Sequence, residues 1–507
     1  MRIDNIVAML DEGGPKSYYS FETFILNLLD YHIKLQKKDF LTVNHIQRFG
    51  DALAPDGFDD FSGATLIEIK FNLDKLPIKH FVNRQLIRFL ENEDYKTIEQ
   101  ILIIVAKPVS SRTYERLEKE LKNINFPIPV KIWGPNEINK IVTKHQKKTK
   151  EITNNLFSLR LEFAVKKPQE DWKEARKKII AQLKEYYNKG QFSLFLGAGV
   201  SSSSGMPDWN TLLNSLFVSY LTQEFNSNGV ISDTDISDLV NRLNTIDEPS
   251  ALMAARYLRK GLSKGKDNTL EFTNTISKNL YKLRNQDFPL DSDLIKTITT
   301  LCLPKRTGAK VRSVITYNFD DLLERQLENQ AIEYQSIYTD DAVYTLDELP
   351  IYHVHGFLPE DISKYSSLNK STLVFSEEGY HEIYSNSYHW SNLVQLNNLR
   401  ENHCLMIGLS MSDPNLRRLL DISGKNMEKA KHFAFMQRMS LENFAYQKNK
   451  NDNTTEQVIS NTDGAELFLE RHHSLNEEIM KELGVTIIWY EGYDDIPNLL
   501  NELLNSK

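Results

Sequence analysis

The run Phe192-Ser193-Leu194-Phe195-Leu196 passes directly into Gly197-Ala198-Gly199-Val200-Ser201. An almost wholly apolar segment closed by two glycines reads as a strand covered on both faces that turns sharply into a helix. Such a strand needs layers above and below it, which points to a mostly parallel sheet between helices. The rest of the chain offers the partners. Short apolar runs at 313–316, 351–354, 404–407, 432–436 and 485–490 alternate with helical patterns, among them 415–422 and 496–504. A charged helix beginning near Asp171 leads in, and 209–300 reads as a mainly helical insertion. Residues 447–464 are polar and Asn-rich and read as a loop.

Three later strand ends carry chemistry-bearing blocks. They are Thr316-Tyr317-Asn318-Phe319-Asp320, His353-Val354-His355-Gly356 and Gly408-Leu409-Ser410-Met411-Ser412-Asp413. An open α/β sheet presents ligand-binding residues at the carboxyl ends of its strands. The glycine turn lets backbone approach a pyrophosphate, but the third glycine of a dinucleotide fingerprint and a P-loop lysine are both missing. Asn318 offers a donor and an acceptor suited to a water or a ribose hydroxyl. His355 titrates near neutrality and suits proton acceptance. Asp320 either binds ribose or orients its neighbours, and Ser410 suits an adenosine ribose or a phosphate. His353, two positions from His355, is expected to face the other way and be structural. Asp413, followed by Pro414, either caps the helix 415–422 or faces the ligand.

In order and character these four blocks resemble the sirtuin family, specifically the sirtuin-like effector domains of bacterial antiphage defence. The resemblance spans about 175–507. It implies a Rossmann-like parallel-sheet domain with Asn318 and His355 as catalytic residues. It also implies a NAD+ site built from Gly197, Ala198, Gly199, Ser201, Pro207, Asp208, Thr316, Asp320, Gly408 and Ser410. Two departures separate the chain from sirtuin deacylases. The stretch between Gly356 and the strand-like block 371–375 holds no cysteine, so there is no zinc ribbon, and Tyr317 stands where that family has Gln. Both fit the branch that hydrolyses NAD+ to nicotinamide and ADP-ribose.

Residues 1–150 read as a separate α/β unit, joined to the domain 176–507 by a connection over 151–175. An amphipathic helix covers 20–31, strands fall at 65–71, 101–106 and 128–133, and helices at 78–92 and 111–122. The basic stretch 144–150 reads as a solvated helix end or linker, with DNA-backbone contact the alternative. Pro55-Asp56-Gly57-Phe58-Asp59 is an acidic turn, and nine residues after Asp59 comes Glu68-Ile69-Lys70. Period-2 geometry puts Glu68 and Lys70 on one strand face. If Asp59 ends a neighbouring strand, the two carboxylates converge and can hold Mg2+. This pattern resembles the PD-(D/E)XK restriction-endonuclease-like fold in its Mrr-type branch. The resemblance makes Asp59 and Glu68 metal ligands, Lys70 the water-positioning base and Glu22 an accessory acid.

Composition narrows the setting. Two cysteines, Cys302 and Cys404, exclude a disulfide scaffold and a four-cysteine zinc site. No apolar stretch approaches the ~18 residues of a membrane span, and a cytoplasmic location is expected. The net charge of −8 divides into +3 for residues 1–150 and −11 for the remainder, so the two parts need not share a partner. The expectation is an antiphage effector that consumes NAD+, with a first domain that binds or cleaves DNA. Homo-oligomerisation and an ATPase or other defence partner are expected with it. The alternative is a Mg2+-dependent nuclease whose second domain senses NAD+ or ADP-ribose.

Overall fold

The structure, a computed structural model, describes residues 2–42, 49–90, 96–166, 172–207, 211–213, 216, 276–306, 308–374, 383–425, 427–448 and 455–504. Most of the helical insertion expected at 209–300, together with Asp208, Phe375 and 449–454, lies outside the described residues. The chain forms two compact units. The first comprises Met1–Asp171, Gly424–Ala430 and Ser440–Val485, and the second comprises Trp172–Ser423, Lys431–Met439 and Thr486–Lys507. The single domain expected over 176–507 therefore gives two segments to the first unit.

In the first unit, α1 (Ile3–Leu10) and α2 (Gly14–Lys34) precede β1 (Leu41–Thr42), β2 (Ala52–Ala54) and β3 (Thr65–Lys70). There follow β4 (Gln100–Val105), α3 (Ser111–Asn123), β5 (Val130–Trp133), α4 (Pro135–Lys144), α5 (Gln146–Asn154) and α6 (Leu156–Lys166). The strands form one sheet in the order β1-β2-β3-β4-β5, antiparallel up to β3 and parallel beyond it. Alternation along β3 and β4 divides the core. Ile67, Ile69, Leu102 and Ile104 pack with Phe21, Phe24 and Leu28 of α2, while Leu66, Ile101, Ile103 and Val105 pack with Phe81 and Leu117. The basic stretch 144–150 is the junction of two helices, α4 and α5, rather than a linker. Helix Thr462–Glu482 completes this unit. Its Glu478 and Glu482 accept from Arg160 of α6 at 3.1 and 2.6 Å.

In the second unit come α7 (Trp172–Asn188), β6 (Phe192–Leu196), α8 (Ala198–Ser202), α9 (Asp293–Cys302), β7 (Val311–Thr316), α10 (Leu322–Asn329), β8 (Tyr334–Ile337) and β9 (Leu349–His353). They are followed by α11 (Trp390–Glu401), β10 (His403–Ile407), α12 (Pro414–Gly424), β11 (His432–Gln437), β12 (Val485–Tyr490) and α13 (Asp495–Leu504). The seven strands run in the order β12-β11-β10-β6-β7-β9-β8, parallel from β11 to β8. Every residue of β6 is buried, as a central strand between helical layers requires. Strand β8 was not anticipated from the sequence, and 371–374 forms no strand.

The topology selects the position of a site. From β6 the chain builds outward through β7 and β9 on one side, then crosses back to place β10 on the other side. That reversal opens a crevice at the carboxyl ends of β6 and β10, the switch point where ligands bind in open α/β sheets. Among the described residues no helix is long and apolar enough to cross a membrane.

Candidate functional site

The four blocks picked out in the sequence leave β6, β7, β9 and β10, which are neighbours at the centre of the sheet. Beyond β7, the Asn318 backbone N–H donates to Thr316 Oγ1 at 3.0 Å. The Asn318 amide donates from Nδ2 to Gly197 O at 3.0 Å and to Ser201 Oγ at 2.8 Å. A carbonyl only accepts, so the Gly197 contact fixes which end of the amide is nitrogen and presents Oδ1 as the acceptor. The Ser201 hydroxyl in turn lies close enough to Asp320 to lower its pKa. Burial pushes Asp320 up to about 6, against the lowering effect of hydrogen bonds from Ser201 and the Leu322 N–H. Asp320 is therefore a carboxyl whose charge changes near neutrality.

That shift has a testable cost. The fold holds the Asp320 proton more tightly than the unfolded chain, whose carboxyl titrates near 3.8. Stability associated with the protonated group is full below that value and is lost as pH rises through about 6. Asp320→Asn should then raise thermal stability at about pH 8 by roughly 1–3 kcal/mol, with the gain shrinking toward about pH 5. Calorimetry across that range checks the expectation, and an equal gain at both ends would contradict it.

His355 is buried beyond β9, and its Nε2 stands 3.9 Å from Asp413 Oδ2. Burial lowers the imidazole pKa from 6.5, and Asp413 opposes that effect, so His355 is neutral and basic at neutral pH. Asp413 is the helix cap the sequence allowed, and it also faces His355. Its Oδ1 caps α12 by accepting the Leu416 N–H at 2.7 Å, while Oδ2 faces His355. Tyr317 meets the His355 ring edge-on at 4.6 Å, and its hydroxyl donates to Gln395 of α11. Gly356 has φ +106, and a Cβ there would stand 2.9 Å from Thr372 O. The stretch 371–374 thus lies close over this turn, with the Val374 N–H donating to His355 O at 2.8 Å.

His353 is structural, but not because of its spacing: two positions along a strand share a face, and it is the end of β9 at His353 that turns His355 away. His353 is fully buried, with Nε2 2.6 Å from Glu324 Oε1 and Nδ1 3.2 Å from the Asn318 carbonyl. The glycine turn differs from expectation. The N–H groups of Gly197, Gly199 and Val200 donate to Ile407 O, Gly408 O and Gly197 O at 2.9, 3.0 and 2.9 Å. These amides are bonded within the fold, so the glycines serve the close approach of two loops instead of presenting those amides to phosphate. Ala198 and Ser410 are exposed, Ser410 within 2.6 Å of Ser412 Oγ, and Pro207 is half-buried. The contributions of Asp413, Gln395 and Ser201 were not legible as a set, because each comes from a different element.

In the first unit, β3 is buried throughout, and Glu68 and Lys70 pair with each other as same-face neighbours. Asp59 lies elsewhere in the hydrogen-bond pattern. Its carboxylate takes His32 Nε2 at 2.9 Å and Gln36 Nε2 at 2.9 Å, and His32 Nδ1 stands 2.8 Å from His145 Nε2. The turn at Gly57 (φ +62) and Asp59 (φ +45) carries this acid toward α2. The acid brought to the Glu68 strand is Asp51, immediately before β2, which accepts the Ile69 N–H at 2.6 Å. The antiparallel β2–β3 pairing puts Asp51 there, and its position just before a strand was the available signal. Glu22 belongs to this neighbourhood through Tyr18, whose hydroxyl lies 3.4 Å from Glu22 Oε1.

A Mg2+ ion does not fit these residues as they are arranged. Glu68 Oε2 accepts the Gly50 N–H at 2.6 Å, Oε1 accepts from Lys70, and Asp51 Oδ1 faces Lys429 Nζ at 3.5 Å. Among the described residues no group of three or more His, Cys, Asp or Glu side chains is arranged to hold a metal.

A parallel sheet with polar blocks at its switch point defines a Rossmann-like α/β unit. The comparisons give it a closer relation. The model of the SIR2-like domain matches residues 312–457. A solved structure described as "Structural Basis for the Mechanism and Regulation of Sir2 Enzymes" is similar at 14% identity. It covers 59% of this chain and 98% of its own, with a TM-score of 0.23. No curated protein matches. On the family model alone, residues 312–457 form part of a sirtuin-like domain, a class that fits NAD+-related activity.

Proposed function

We propose that the second unit binds NAD+ at the β6–β10 crevice and hydrolyses the bond between nicotinamide and ribose. The observation that carries this reading is the convergence of two fixed groups. Asn318 is locked by Gly197 and Ser201, and His355 faces Asp413, on neighbouring strand ends. Nicotinamide departs as a neutral molecule, so no acid is needed at the departing nitrogen. Asn318 Oδ1 holds the water or a ribose hydroxyl, and His355 accepts the proton of the attacking water. The water oxygen bonds to the anomeric carbon as the carbon–nitrogen bond breaks and its electron pair returns to nicotinamide. Ser201, Thr316 and Asp320 hold this arrangement, with Gly197, Ala198, Gly199, Pro207, Gly408 and Ser410 as the surrounding wall. The cysteine-free stretch after Gly356 and Tyr317 favour hydrolysis over deacylation.

Chromatographic detection of nicotinamide and ADP-ribose from NAD+ incubated with the purified chain tests this. Intact NAD+ under conditions where the chain binds it would leave a sensor in place of an enzyme. Asp413→Asn refines the test, since Asn keeps the helix cap and removes the charge. The carboxylate raises the His355 pKa, so its loss should move the acid limb of the pH–rate profile to lower pH. The rate itself should fall about 10-fold.

The resemblance to defence effectors supports a cytoplasmic role in which NAD+ loss arrests an infected cell. Such an activity needs an off state, held by oligomerisation or by an ATPase or other partner. The slightly basic residues 1–150 support a DNA-contacting role for the first unit. The committed carboxylate oxygens count against Mg2+-dependent cleavage by this unit in its present arrangement.

A further inference from the structure

We propose that Lys429 is an internal cation for the acidic group of the first unit, standing in place of a divalent metal and keeping one out. This goes beyond the NAD+ reading and is independent of it. Lys429 Nζ lies 3.5 Å from Asp51 Oδ1 and 3.9 Å from Glu68 Oε1, and 5.1 Å from the centroid of the Tyr18 ring. Asp51 and Glu68 keep 9% and 2% of their side chains exposed, whereas Lys429 keeps 44%. The carboxylates are therefore inside, and the ammonium closes them from the solvent side.

The segment that brings Lys429 is built to be there. The backbone of Lys425 accepts the Gly14 N–H at 3.1 Å, and a Cβ on Gly14 would stand 2.3 Å from Gly424 O. Glu428 Oε1 accepts the Asn72 N–H at 3.0 Å, and the Ala430 N–H reaches Tyr19 Oη at 3.4 Å. Fixed on both sides, Lys429 has little choice of position. With Lys70 already on Glu68, the Lys429 ammonium neutralises the remaining charge, but an ammonium neither coordinates several oxygens nor acidifies a water as Mg2+ does. The acidic group is thereby held silent for metal chemistry, and the half-exposed lysine can be withdrawn into water if residues 424–430 move.

Mn2+ binding to the full chain, followed by electron paramagnetic resonance of the free ion, tests this. The wild type and Lys429→Arg should show no Mn2+ site that Glu68→Gln removes. Lys429→Met should gain one, lost again in Lys429→Met/Glu68→Gln, and millimolar Mg2+ should raise its Tm while leaving the wild-type Tm in place. A Glu68-dependent site in the wild type overturns the proposal. So does a folded Lys429→Met chain with no gain. Lys429→Gln shortens the stem, removes the charge and stays polar, and it serves in the same comparison if the methionine variant fails to fold.

Discussion

Asn318→Ala and His355→Ala should each lower nicotinamide release from NAD+ by about 10²–10⁴-fold. Neither should unfold the second unit. Asn318 gives up two donors, to Gly197 O and Ser201 Oγ, at about 1–2 kcal/mol. His355 is larger but stands at a strand end beside the half-exposed turn of Asp413, not inside the sheet. If both groups serve one step, the double variant should be little slower than the worse single one. His353→Ala is the control with the opposite signature. It leaves Glu324 buried without its 2.6 Å partner, so stability should fall by about 3–5 kcal/mol and activity should fall through unfolding. Turnover by the Asn318 or His355 variant equal to wild type would remove the hydrolytic assignment.

The contrast between His353 and His355 shows what the sequence could disclose. Two-residue spacing within one strand would put both on the same face; they part because β9 ends at His353 and His355 lies in the turn beyond it, so the structure puts one on Glu324 and the other on Asp413. Most strands were legible, because a buried strand leaves an apolar run such as Phe192–Leu196 or Val485–Tyr490, whereas the edge strand β8 left no such run and 371–374 formed no strand. Strand order was not legible. Nothing local in β10 says that it returns to the far side of β6, and only that return brings Gly408 against Gly199. The acidic pair of the first unit was misassigned for a related reason. Asp59 and Asp51 are both near Glu68 in sequence, but antiparallel pairing of β2 with β3 delivers Asp51, while a left-handed turn sends Asp59 to His32. The short strand Ala52–Ala54 leaves too weak a pattern to be read alone.

Gly408→Ala should destabilise the second unit by about 2–4 kcal/mol, roughly 10 °C in Tm, and take NAD+ consumption with it. Two effects combine there. The residue has φ +68, which disfavours any side chain, and an added Cβ would stand 2.6 Å from Val200 N and 3.0 Å from Gly199 Cα. These are backbone atoms that cannot swing aside, and moving them breaks the 3.0 Å bond from the Gly199 N–H to Gly408 O. The displacement falls on the turn that carries Ser201, hence on the hydroxyl that accepts from Asn318. Gly308→Ala separates the two effects, because Gly308 has φ +96 with nothing within 4 Å of an added Cβ. It should cost only the backbone strain, about 1–2 kcal/mol, with activity retained. Thermal melts and NAD+ turnover of the two variants side by side decide the matter. Equal losses would mean that the left-handed backbone alone requires glycine at 408, and that the contact between the two loops does not organise the site.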